Sequence, residues 1–141
     1  MSFSDIYRVS GSAMTAQTVR LNTIASNLAN AETASATEAD TYKARRPVFA
    51  AVYQNDELMH HKALSGARVQ VMDVVETGSA SQRYEPSNPL ANADGYVYYP
   101  DINVVEEMAD MMSASRGFET SVEVLNSIKS MQQSLLRLGE A

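Results

Sequence analysis

The chain has 141 residues, a net charge of −6 and no cysteine or tryptophan; 45% of it is hydrophobic and 20% charged. That is the size and composition of one folded domain rather than a disordered tail. The absence of cysteine excludes disulfides, thiolate metal sites and cysteine nucleophiles, and an acidic chain without a basic cluster is a poor ligand for nucleic acid.

The first segment, from about residue 4 to 31, carries a heptad seam. Tyr7, Ser10, Met14, Gln17, Leu21, Ile24, Leu28 and Ala31 alternate spacings of 3 and 4, which places them on one face of a helix. Ser4 is the expected N-cap. Gly11 weakens the helix by up to about 1 kcal/mol. The seam is not uniformly apolar, so this helix needs a partner to be stable. The N-terminal residues lack a basic region followed by an apolar stretch, and no run approaches the roughly 18–20 apolar residues of a membrane span.

Residues 32–103 form a middle region that opens on a small, polar linker. Pro47–Tyr53 and Arg68–Val75 are β-prone, and the second alternates until Val74-Val75, as a half-buried strand does. Asp94-Gly95 is a turn leading into an extended Tyr96–Tyr99. All four prolines, at 47, 86, 89 and 100, fall here. So little apolar content supports only a thin core.

Pro100-Asp101-Ile102-Asn103 is a helix start, with Asp101 or Asn103 as N-cap and Glu106-Glu107 complementing the positive first turn. Val104, Met108, Met111, Ser115, Phe118, Val122 and Leu125 then repeat at 4 and 3, followed by Ile128, Gln132 and Leu135. Arg137 and Gly139 suit the helix end. The expected fold is therefore mainly α. Long N- and C-terminal heptad helices pair as an antiparallel coiled-coil hairpin, and a small β-containing region joins them. Residues 1–31 and 104–141 make one discontinuous core domain, with 32–103 apart from it. Leu21, Ile24 and Leu28 are expected to face Phe118, Leu125 or Ile128, within a subunit or across to a neighbour.

No side-chain set points to catalysis. His60 and His61 are adjacent, so they diverge and cannot easily share a metal. Glu106, Glu107 and Asp110 belong to a first helical turn, where carboxylates complement the helix dipole. Met108, Met111 and Met112 belong to a helix seam. Lys43, Arg45, Arg46 and Arg20 form a thin basic surface. Gly117 is either a tolerated defect or a point of close helix approach. No nucleophile elbow, phosphate loop, dinucleotide fingerprint or zinc-protease motif occurs. What remains is an interaction protein without cofactor, metal or small-molecule substrate. On the seams alone, a cytoplasmic helical-hairpin adaptor stands as the alternative.

Two stretches carry a resemblance. Leu21-Asn22 and Ser26-Asn27-Leu28-Ala29-Asn30-Ala31-Glu32-Thr33, followed by Tyr42-Lys43, are similar to the N-terminal signature of the flagellar rod, hook and hook-associated proteins. Tyr84-Glu85-Pro86-Ser87-Asn88-Pro89, Asp94-Gly95-Tyr96-Val97 and Asn103-Val104 through Met108 resemble the proximal-rod branch of that family. Met112, Ser115-Arg116-Gly117-Phe118-Glu119 and Leu125-Asn126 through Met131 are similar to the C-terminal helix of the family as a whole. Relatives often read Pro-Gly-Tyr-Lys after the signature; here Ala34–Thr41 intervene. The resemblance implies a structural subunit of the periplasmic axial rod, exported without cleavage by the flagellar type III export apparatus. It implies helical self-association and contacts with other proximal and distal rod proteins, the rod–ring junction protein and the membrane-embedded ring. The assembly interface is then expected at Met14, Leu21, Ile24, Leu28, Met108, Met111, Phe118, Val122, Leu125, Ile128 and Leu135. Phe3, Ile6 and Tyr7 are candidates for the export signal.

Overall fold

The computed structural model describes residues 3–53 and 67–139. His60 and His61 lie outside the described residues. Helix α1 spans Phe3–Asn30, and strands β1 (Ala44–Tyr53), β2 (Ala67–Thr77), β3 (Ala80–Tyr84) and β4 (Tyr96–Pro100) follow. Helix α2 spans Val104–Gly139. Both helices lie where the 3–4 spacing places them. Ser4 stands inside the first turn of α1 rather than ahead of it. At the start of α2 the cap is Asn103, whose Oδ1 accepts the backbone N–H groups of Val105 at 3.1 Å and Glu106 at 3.3 Å. This satisfies two of the first-turn donors that have no partner within the helix.

Contacts between the helices pair early residues of one with late residues of the other. Asn27 meets Glu107, Arg20 meets Asp110, Gln17 meets Gly117, and Tyr7 meets Gln132. Chain numbers rise along one helix as they fall along the other. This register corrects one expectation: within a subunit, Leu21, Ile24 and Leu28 run beside the first turns of α2. Phe118, Leu125 and Ile128 run beside the N-terminal half of α1. A seam counted from its own helix fixes the face but not the offset between helices, and here the polar pairs at Asn27 and Arg20 set the offset.

The face of α1 that is fully buried is small and polar: Ser10, Ala16, Thr23 and Asn27, with Ile24 the one large apolar side chain. On α2 it is Glu107, Ala114 and Ile128. Small side chains let the helices approach closely. Gly117 shows this best: a Cβ there would stand 3.1 Å from Gln17 Nε2 and 3.3 Å from its Cδ. Of the two readings of Gly117, close approach is the one observed.

Between the helices lie two separate two-stranded antiparallel sheets. In β1–β2, Ala44 pairs with Thr77 and Tyr53 with Ala67. The register slips between Val48 and Phe49, so Met72 is an extra residue on β2, a β-bulge. Half-burial alternates at Ala67, Val69 and Val71 but ends there, earlier than the sequence pattern suggests. Val69 N–H donates to Ser12 Oγ at 3.0 Å, which ties this ribbon to α1. β3, which carries no apolar alternation, pairs with β4. The linker joins the far edge of β4 through reciprocal Ser35–Tyr98 backbone hydrogen bonds of 2.8 and 3.0 Å. Val97, fully buried, and Tyr99 anchor this second sheet. Gly95, at φ 82°, closes the turn before β4, a backbone region that glycine enters without steric cost. Residues 37–41 fold into a hydroxyl-capped turn in which Thr37 Oγ1 accepts the Asp40 N–H at 3.2 Å.

Candidate assembly surface and its polar clasp

Where α1 ends, four segments converge on one side chain. Asn27 is 1% exposed. Its Oδ1 accepts the Arg45 N–H at 2.8 Å and the Tyr42 hydroxyl at 3.0 Å. Its Nδ2 donates to the Arg45 carbonyl at 3.0 Å and to Glu107 Oε2 at 3.1 Å. Two donors and two acceptor positions are the whole capacity of a carboxamide, and all are used. One asparagine thus fixes α1, the linker, the start of β1 and the first turn of α2 to each other.

Charges surround this clasp. Glu107 is 3% exposed, and its other oxygen lies 3.5 Å from Arg46 Nη2. Arg46 also reaches Glu106 at 3.5 Å and Asp110 at 3.7 Å, while Arg20 meets Asp110 at 2.8 Å. A buried carboxylate is tolerable only when paired and hydrogen-bonded. Glu107 receives one hydrogen bond from a neutral amide and one from a guanidinium. The basic residues are therefore not a free surface: Arg20 and Arg46 neutralise the acids of α2, and Arg45 stands 3.6 Å from Glu76. Likewise the acids do more than complement the helix dipole.

A second polar knot holds the loop before β4. Glu85 Oε2 accepts the hydroxyl of Tyr99 and the amide of Asn88, each at 3.0 Å. These two bonds, with help from the nearby Arg83 charge, hold the Glu85 carboxyl below the ordinary glutamate range. The same bond pushes the Tyr99 hydroxyl up. Arg83 covers the Tyr99 ring at 4.5 Å and pairs with Glu32 at 3.2 Å, so the Ser26–Thr33 stretch that holds Asn27 is tied to this knot. The side chain of Asn92 accepts the N–H groups of Asp94 and Tyr96 and shapes the turn between them.

The expected assembly residues divide by exposure. Ile24 and Ile128 are buried within the subunit. Met14, Leu21, Leu28, Met111, Phe118, Val122 and Leu125 are half-buried, whereas Met108 and Leu135 are more than half exposed. The exposed apolar set is larger than the seam count suggests: Val105, Met112, Met131, Leu136 and Leu138 join it on α2. The spacing of 3 and 4 gives no reason to leave any of them uncovered. Among the export candidates, Phe3 and Ile6 are half-buried, and the hydroxyl of Tyr7 donates to Gln132 Oε1 at 3.2 Å. Among the described residues, no helix is long and apolar enough to cross a membrane.

Comparison with known proteins places these features. Residues 8–37 match the family model described as "Flagella basal body rod protein". Residues 93–138 match "Flagellar basal body rod FlgEFG protein C-terminal". The chain is similar to proteins named "Flagellar basal-body rod protein FlgC". It is 43% identical to that of Escherichia coli O6:H1 and 41% identical to that of Salmonella typhimurium, in each case over 99% of this chain and all of the relative. With that of Bacillus subtilis the identity is 31%, over 94% of this chain and 95% of the relative. The chain belongs to the FlgC family of flagellar basal-body rod proteins. The two matched regions are the ones the Asn27 clasp joins, since Asn27 lies in the first and Glu107 in the second.

Proposed function

We propose that this protein is a structural subunit of the proximal part of the flagellar rod. In this reading it assembles helically in the periplasm and forms part of the hollow shaft that carries torque from motor to hook. The observation that carries the reading is the surface of α2. Val105, Met108, Met112, Met131, Leu135, Leu136 and Leu138 all stand exposed in a single subunit. A surface helix of a self-sufficient monomer carries such residues on its inner face. Family membership supports the rod over a cytoplasmic adaptor. Within the rod, α1 and α2 form a coiled-coil hairpin that makes the axial core domain with residues 1–31 and 104–141, and the half-buried seam residues complete their burial against neighbours. Those neighbours are copies of this chain, other rod proteins, the rod–ring junction protein and the membrane-embedded ring. Export proceeds without cleavage through the type III apparatus, with Phe3, Ile6 and Tyr7 contributing the signal.

The test is complementation of a strain lacking this chain, with swimming and isolated basal bodies as readouts. Restored swimming with the chain present in the rod fraction is expected. Soluble chain absent from basal bodies of swimming cells overturns the reading. For the export segment, deletion of residues 2–8 is expected to stop secretion. Normal secretion with failed assembly assigns these residues to the seam instead.

A further inference from the structure

Two residues that meet at the crossing of the helices both work against stability. Gln17 Oε1 is buried without a hydrogen-bond partner among the described residues, which is unfavourable. Opposite it stands Gly117, the one glycine between Val104 and Leu138, and a glycine inside a helix is unfavourable too. What joins them is shape. A Cβ on residue 117 would stand 3.1 Å from Gln17 Nε2, 3.3 Å from Cδ and 3.6 Å from Cγ, so the amide fills the space that glycine leaves open. One turn to either side, α2 carries Ser113-Ala114 and Thr120-Ser121, each with the Cβ that Gly117 lacks. The buried positions around the crossing, Ser10, Ala16 and Ala114, are small and would pack much the same after a slide of one turn. Gln17 would not, because its amide would meet a Cβ.

We propose that Gln17 and Gly117 are a stagger lock: Gln17 is a positioning residue that admits one offset of α1 against α2, at the expense of stability. The Asn27 clasp holds one end of the pair of helices. Gln17 and Gly117 each lie ten residues from it along their own helices, about 15 Å away at 1.5 Å per residue, so the two contacts are in phase. Between them stands the Arg20–Asp110 pair, in which both side chains are partly exposed, and such pairs contribute little. A seam residue that fixes register at a cost in stability has its counterpart in coiled coils; here the selection is steric. Beyond the lock α1 runs to Phe3 and α2 to Gly139. The offset set here decides which residues of those two ends lie together, Tyr7 and Gln132 among them.

The test separates selection from stability. In the strain lacking this chain, Gln17→Ala is expected to reduce swimming at least twofold. The purified chain carrying it is expected to gain helix by far-UV circular dichroism, because an orphaned acceptor is gone and alanine favours the helix. A loss of helix, or full swimming, overturns the proposal. Gln17→Met keeps the bulk of the side chain without its amide and is expected to swim as wild type; non-motile cells overturn the steric selection. The lock can also be moved. Residues 13 and 121 lie one turn from 17 and 117, on the same faces and in the same phase. Gln17→Ala with Ala13→Gln sets the amide against Ser121 and is expected to stop swimming. Adding Gly117→Ala and Ser121→Gly gives the amide a glycine again and is expected to restore swimming at least tenfold. No restoration at normal chain levels overturns the lock. Where the fourfold variant fails to accumulate, the contrast of Gln17→Ala with Gln17→Met decides. Failure of the wild-type chain to restore swimming strikes the rod reading instead, and the circular dichroism of Gln17→Ala still tests the lock.

Discussion

Asn27 shows how one residue can tie distant segments of a chain together. It makes four hydrogen bonds to three segments, and no other side chain of its size presents two donors and two acceptor lone pairs in that geometry. Asn27→Ala strands the Arg45 N–H and deprives Glu107 of a donor. A buried group left unsatisfied costs about 1–3 kcal/mol. Asn27→Asp is expected to be worse, because it sets a second carboxylate against Glu107. Heat dissociation of isolated basal bodies checks the order, with wild type most resistant, then Ala, then Asp. Before folding, Asn27 is only a polar residue near a helix end. The available signal was its place between Ile24 and Ala31, on the buried side of the seam; its partners, 15 to 80 residues away, leave no local trace.

The Glu85–Tyr99 bond gives a residue-scale test with a definite sign. Glu85 titrates below its unfolded value, so its contribution to the β3–β4 sheet is complete above the ordinary glutamate range. That contribution is lost as pH falls from there through the folded value. Tyr99 behaves in the opposite sense: raised in the fold, it weakens the sheet only above the ordinary tyrosine range. Tyr99→Phe removes the hydroxyl and is expected to move the Glu85 midpoint upward. Carboxyl-carbon NMR titration of Glu85 in both chains checks this, and an unmoved midpoint rules the bond out.

Among the elements, the helices were the most legible, because alternating spacings of 3 and 4 sustained over about 30 residues have no other common reading. β3 was not legible: Ala-Ser-Gln-Arg-Tyr has no apolar alternation, and its pairing rests on the backbone of β4. The offset of the helices was also hidden, since it depends on pairs between distant residues. At the crossing, Gly117 competes with helix propensity. Alanine there gains up to about 1 kcal/mol of propensity but drives Cβ into the Gln17 amide at 3.1 Å. A larger residue has no such freedom: Gly117→Leu is expected to cost about 1–3 kcal/mol by overpacking and to abolish swimming. Adding Gln17→Ala, which vacates the space and removes a buried Oε1 without a partner, is expected to restore much of it. Farther along α2, Leu125 is half-buried. Leu125→Glu removes an apolar side chain from the seam and places a carboxylate there, and is expected to block rod completion while leaving synthesis intact, as basal-body isolation and whole-cell blots read.

For the whole molecule, the balance of buried and exposed surface predicts the state of the chain before assembly. The side chains fully buried between the helices are mostly small or polar, with Ile24 and Ile128 the large apolar exceptions. Among the described residues, the buried apolar side chains of the middle region are Ala44, Val97 and Tyr99. Large apolar side chains, in contrast, lie outside, at Met108, Met112, Met131, Leu135, Leu136 and Leu138. Fully burying one such side chain contributes about 1.5–3 kcal/mol, so covering the exposed part of these six adds an amount comparable with the whole margin of a small domain, about 5–15 kcal/mol in total. Ordering each residue costs about 1–2 kcal/mol of backbone entropy, and a dilute monomer must meet that cost without the six. The isolated chain is therefore expected to show less helix than the 28 and 36 residues of α1 and α2, and to gain the remainder on assembly. Far-UV circular dichroism across a dilution series, paired with gel filtration, makes the measurement. Helix content that rises with oligomer size supports the argument. A monodisperse monomer that already carries both helices in full and melts cooperatively shows instead that the polar clasp at Asn27 is enough to hold the hairpin by itself.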